Sequence, residues 1–271
     1  MKLKAGFSGI IVISWIIIAI LGQVLTLDAD QIELARILQG PDLMHWFGYD
    51  DLGRSVLDRL LKGAATSCLV ACSVVLISVC MGSLIGTLSA YVGGWLDLVI
   101  VRVIDIFLAF PGILLAIALA GIMGPGIDNV VIALASVGWV GFARLARAQT
   151  LSMKHREHVV AAIALGTGTF RIISRHLIPL ISAPLIIEAT FGVASVVIAE
   201  AGLSFLGLGV QAPESSWGSM IRDGARYMLV APHLVMIPGT ALVLVVLSVN
   251  ILGDRLRDWL DVRTANREGG N

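Results

Sequence analysis

Two carboxylates, Glu188 and Glu200, stand inside one long apolar run, SAPLIIEATFGVASVVIAEAGLSFL. A charged side chain in hydrocarbon costs roughly 2.5–3.5 kcal/mol and is retained only for a use. The chemistry open to such groups is proton relay or cation binding in an ion-coupled carrier. Glu188 falls near one end of the run, within reach of water. Glu200 lies deeper and is the better candidate for a side chain facing into a helix bundle. Two scattered glutamates make a poor proton path, so a structural hydrogen bond from Glu200 to a neighbouring helix is the simpler use. Arg102 and Asp105, at i,i+3 in another apolar run, read as a local ion pair near a membrane interface.

Other chemistry is hard to find. A phosphate-binding loop would read GxxxxGK[ST]. The four lysines are Lys2, Lys4, Lys62 and Lys154, and none follows a glycine. HExxH and GxSxG are missing too. Cys68, Cys72 and Cys80 form no CxxC pair and read as free thiols in a membrane helix. His45, His155, His158, His176 and His233 make no ligand set. The chain therefore offers no catalytic residue, no metal site and no cofactor site, and it reads as something other than an enzyme.

Composition explains what these residues sit in. The chain is 57% hydrophobic and 14% charged, against about 25% charged in soluble domains. That is an integral membrane protein in contact with lipid. Its net charge of +0 implies no attraction to nucleic acid. A crossing helix needs about 20 apolar residues, and six segments qualify: 6–27, 66–91, 98–123, 129–147, 182–206 and 234–252. The first is an uncleaved anchor, since no A-x-A site follows it. Pro111 is expected to bend the third. Lys2, Lys4, the cluster Arg144 to Arg175 and the tail Arg255 to Arg267 all fall on one side of six spans. The acid-rich loop Asp28 to Asp58 falls on the other. Positive residues mark the cytoplasm, so both termini are expected there. The organisation expected is 1–65 (first helix and external loop), 66–252 (five-helix core, with a cytoplasmic segment 148–181) and 253–271 (tail).

The cytoplasmic segment, HREHVVAAIALGTGTFRIISRHLIP, is where the chain leaves the membrane. EHVVAAIAL suits a short helix, stopped by Gly166 in a left-handed turn. TFRIISRHL suits a second, ended by Pro179, with Phe170, Ile173 and Leu177 on one face. Either of two uses fits this pair: an interfacial helix held by anionic lipid, or a knob docking in a partner's groove.

The stretch VAAIALG resembles the EAAxxxG loop of ABC-importer permeases, with Ala161, Ala162 and Gly166 at the motif places. HWFGYDDLGRSVLDRLLKGA, RVIDIFLAFPGILLAIAL, AEAGLSFLGLGVQAPESSWGSMI and NILGDRLRDWLD resemble further motifs of the dipeptide/oligopeptide/nickel permease family, C-type subunit. These ordered matches cover nearly the whole chain. The resemblance implies an all-α, six-span type I ABC-importer permease fold with cytoplasmic coupling helices, in a bacterial inner membrane. It implies a homologous B-type permease as heterodimer partner, two ATP-binding subunits that hold the ATP and Mg, and an extracytoplasmic substrate-binding protein. Peptides are the expected cargo, with nickel or a nickel chelate as the alternative. A stand-alone ion-coupled carrier and a membrane scaffold are the readings of other classes. The coupling residues would be Glu157, Val160, Ala161, Ala162 and Gly166. Val160 stands where the motif has its acid, and Glu157, one turn earlier, is expected to replace that charge in part. Pro111, Glu200, Trp217 and Met220 are candidates for the pathway or for an external loop in which Pro213, Trp217 and Met220 form a partly buried cap.

Overall fold

The computed structural model describes residues 2–24, 29–43 and 45–268; Asp28 of the acidic loop lies outside them. Most of the described residues are helical, with one isolated bridge, Tyr49 to Ser55, and no strand among them. The helices are α1 (Lys2–Val24), α2 (Val56–Val92), α3 (Gly94–Leu108), α4 (Gly112–Met123), α5 (Ile127–Met153), α6 (Glu157–Ala164), α7 (Thr169–Ile172), α8 (Ile178–Phe205), α9 (Trp217–Ala225) and α10 (His233–Glu268).

The count of six spans is not exact. Four helical segments among the described residues are long and apolar enough to cross a membrane: Val56–Val92, Ile127–Met153, Thr169–Phe205 and His233–Leu260. The expected third span is a pair, α3 and α4, bent by 85°, and the apolar stretch of α1, Gly6–Gly22, is shorter than the rest. The break has a local cause. Proline has no N–H to donate and disfavours helix in the residue before it. The amide of Ala109 closes α3 on Asp105 and Ile106, and the Pro111 carbonyl then accepts from Leu114 and Leu115 to open α4. Pro111 thus divides the segment rather than bending a continuous helix.

The chain divides into two compact units. Unit 1 comprises Met1–Ser73, Ile117–Leu134 and Val193–Leu252. Its core joins Trp15, Val56, Ala64, Val197, Trp217 and Leu234, with the Trp15 and Trp217 rings 6.2 Å apart. Unit 2 comprises Val74–Ala116, Ala135–Gly192 and Gly253–Asn271.

In unit 2, α2 and α5 meet backbone to backbone. A Cβ on Gly82 would strike Trp139, Phe142 and Ala143, and one on Gly86 would strike the backbone of Ala143. Helices in lipid gain no hydrophobic drive from meeting each other, so small residues four apart let backbones approach and gain dispersion contacts. Beside this crossing, Trp139 packs edge-on against Phe107 at 5.7 Å, in a cluster with Ile104, Val140 and Ala143. Gly86→Val is expected to destabilise unit 2 by about 2 kcal/mol through overpacking. Gly141→Ala, whose new Cβ meets nothing within 4 Å, should lower stability not at all. Unfolding of the purified protein in detergent checks both.

Candidate functional site

The residues predicted to couple lie on α6 and the turn after it. Arg156 is extended at φ −64°, ψ 142°, and Glu157 opens the helix with a negative charge in its first turn, which suits the helix dipole. The C-terminal end is closed by a left-handed glycine. Gly166 has φ +77°, its amide donates to Ile163, and the Thr167 amide donates to Ala162. This paired bonding is the Schellman arrangement that a glycine permits.

One face of α6 is filled. Val159 joins Ile172, Ile173 and Leu177, with Tyr91 packed against them. Ala162 is also buried, so of the two motif alanines only Ala161 faces outward. The other face is bare: Glu157, Val160, Ala161 and Ile163 are exposed, as is Gly166. Val160 is 48% exposed, Leu165 86% and Phe170 82%. Apolar side chains this exposed suit contact with lipid or with a partner protein.

Two expectations about the second short helix are corrected. Phe170 does not share a face with Ile173 and Leu177. The chain makes a π-turn over Ile173–Leu177, and the wider turn brings Ile172 into line with Leu177, five residues on, leaving Phe170 outside. Pro179 does not end the helix either; it lies in the first turn of α8, which continues to Phe205. The π-turn just before it absorbs the proline, whose missing N–H is no loss where the bonding pattern changes.

In unit 1 the acidic loop is held by buried charges. Asp50 accepts from Arg54 Nε at 2.7 Å and Arg59 Nη1 at 2.6 Å, and from the backbone amides of Leu52 and Arg54. All three side chains are buried. Arg59 also faces Asp223 of α9 at 3.5 Å. Burial, with the charge of Asp50 beside it, pushes the Asp51 carboxyl up from its ordinary value. Ser216 caps α9 in a reciprocal box with Ser219. Ser215 donates to the Arg59 carbonyl and the Trp217 indole to the Leu60 carbonyl, both at 3.1 Å. On the other side, a Cβ on Gly218 would overlap the backbone of Ala201.

Glu200 sits under this cap, 1% exposed. It accepts from Ser67 of α2 at 3.1 Å and from Ser204 at 2.7 Å. Trp217 and Met220 are buried at 3% and 5%, so the partly buried cap becomes a packed wedge, with Pro213 exposed. Gly207 leaves α8 at φ +84°, and Gly209 is tight because a Cβ there would meet Ser204. Glu188 is exposed. Arg102 and Asp105 pair at 3.6 Å with both side chains exposed. Sequence reasoning missed the Asp50–Arg59–Asp223 network; the available signal was a pair of arginines, Arg54 and Arg59, in a loop otherwise rich in acids. Asp50→Ala should destabilise unit 1 by about 3 kcal/mol, because it removes the close carboxylate partner that two buried guanidinium groups share and leaves them only the longer contacts to Asp51 and Asp223. Faster proteolysis of the 29–60 loop, with the Gly86 crossing of unit 2 intact, is the expected readout.

Comparison with known proteins defines the relationship. Residues 82–266 match the family model described as "Binding-protein-dependent transport system inner membrane component". The dipeptide transport system permease protein DppC of Alkalihalophilus pseudofirmus is 42% identical over 262 residues, covering 96% of this chain and 86% of that protein. The glutathione transport system permease protein GsiD of Pectobacterium atrosepticum is 39% identical over 256 residues, covering 94% and 85%. Among solved structures, inward-facing forms of the MetNI methionine ABC transporter share the fold. One has a TM-score of 0.61 at 17% identity, covering 74% of this chain and 96% of that one. Another has a TM-score of 0.58 at 19% identity, covering 73% and 95%. The chain belongs to the family of binding-protein-dependent transport system inner membrane components, the permeases of ABC importers.

Proposed function

We propose that this permease forms half of a translocation pathway for short peptides across a bacterial inner membrane and takes its motion from separate ATP-binding subunits. The observation that carries the coupling half of the reading is the bare apolar face of α6, with Val160, Leu165 and Phe170 exposed around the left-handed turn at Gly166. In a chain without a phosphate-binding motif, energy must enter through contact with another protein, and a small knob on a filled core suits a groove. The peptide half rests on relatives named for dipeptide and glutathione transport. Nickel has no such support. The partners in this reading are a B-type permease chain, two ATP-binding subunits and an external substrate-binding protein. The charge bias of the loops supports placing α6 and both termini in the cytoplasm.

Rigid docking would let α6 pass a displacement to the helices that flank it. Glu157, exposed on the first turn, supplies the negative charge that the motif places where Val160 stands. The glutamate under the external wedge has its hydrogen bonds filled by serines, a holding role rather than proton relay.

Reconstitution in vesicles with the ATP-binding subunits and binding protein tests the reading. Gly166→Trp should insert normally yet abolish ATP-driven peptide uptake, since a side chain at φ +77° is strained and bulky at the knob's tip. Glu157→Ala should weaken co-purification of the ATP-binding subunits. Full uptake by Gly166→Trp would overturn the coupling role of α6, and uptake of Ni²⁺ in place of dipeptides would overturn the cargo.

A further inference from the structure

The end of unit 2 that carries α6 contains a charged clasp that the sequence motifs do not account for. Arg147, near the end of α5, donates from Nε to Asp97 Oδ1 and from Nη2 to Asp97 Oδ2, both at 2.7 Å. Asp97 lies in the first turn of α3. The Ser89 hydroxyl of α2 adds a third donor to Oδ1 at 2.5 Å. Lys154, just past α5, donates to the Ala90 carbonyl of α2 at 3.0 Å. Next along α2, Tyr91 packs against the cluster under α6. Three helices are thus tied together within a few residues of where α5 hands over to α6.

Between α2 and α3 the chain turns at Gly93 and Gly94, with φ of +71° and +58° and no atom near either missing Cβ. Two open left-handed glycines form a compliant joint. Without a tie across it, a push delivered to α6 could bend this joint and leave α3 behind. The clasp removes that freedom, because a two-pronged guanidinium–carboxylate pair fixes orientation as well as distance. Its side chains are 30% and 20% exposed, so the pair is half-buried, and its two-pronged geometry fixes the relative orientation of α3 and α5 as well as adding stability. Arg102 and Asp105, further along α3, are exposed and paired with each other, and provide no substitute.

We propose that Asp97 and Arg147 are positioning residues of the transport cycle: their bridge makes α2, α3 and α5 follow α6 as one body. This inference rests on the coupling role of α6 proposed above. It places no substrate or nucleotide at the bridge.

The test uses the complete importer in vesicles, with ATP hydrolysis and dipeptide uptake measured on the same preparation. Asp97→Asn should lower thermal stability through loss of the half-buried pair, yet keep ATP hydrolysis by the assembled complex close to the parent while uptake per ATP falls several-fold. Arg147→Lys keeps the charge but not the fork and should shift the ratio in the same direction, less strongly; it serves if Asp97→Asn fails to fold. The exchanged pair Asp97→Arg with Arg147→Asp should recover uptake per ATP relative to either exchange alone. An unchanged ratio in Asp97→Asn or Arg147→Lys overturns the inference. So does a parallel loss of uptake and hydrolysis, which marks a static brace. A parent complex that hydrolyses ATP without importing peptide would instead sink the proposed function, a distinguishable failure.

Discussion

Everything proposed for this permease depends on how a short amphipathic helix is held at the end of a helix bundle. α6 is only eight residues long, too short to persist in water by itself. It exists because Val159 is buried against Ile172, Ile173 and Leu177, with Tyr91 packed beside them, and Ala162 is buried as well. Once that face is filled, the remaining positions have to face outward, and at several of them the side chain is apolar. The left-handed turn at Gly166 then returns the chain directly into α7. A filled inner face and a bare outer one are what allow a contact made outside to be felt inside.

Unit 1 is organised by a different constraint, the need to satisfy polar groups away from water. Asp50 is matched by two arginines and two amides, and Glu200 by serines from α2 and α8. Glu200 ties α8 to α2, far apart in sequence, whereas Asp50 ties its own loop to the start of α2. The wedge α9 is built into the same network through Asp223, Ser215 and Trp217. Removing one partner of a buried charge is costly, so these bonds hold the cap in place.

Much of this was legible in the sequence because period and punctuation are local. Apolar runs marked most of the crossing helices, Gly166 marked the end of α6, and ordered motifs marked the family. Where the reading failed, a non-local or register-dependent effect intervened. Pro111 broke a span because the chain could reopen a helix on its carbonyl. Pro179 broke nothing, since a π-turn ahead of it changed the bonding pattern, and the same turn rotated Phe170 off the buried face. Trp217 and Met220 went deeper than expected because Gly218 lets α9 press onto Ala201. The Gly82–Gly86 spacing was readable as a packing motif, but only the structure identifies α5 as the helix it meets.

The most direct measurement concerns the outer face of α6. A cysteine at Val160, in a chain whose Cys68, Cys72 and Cys80 are replaced by serine or alanine, can be labelled with a membrane-impermeant maleimide in inside-out vesicles. Labelling should be fast for the permease alone and sharply slowed when the ATP-binding subunits are assembled on it. Equal labelling with and without those subunits, in a complex still active in uptake, would contradict the assignment of α6 as the point where their motion enters.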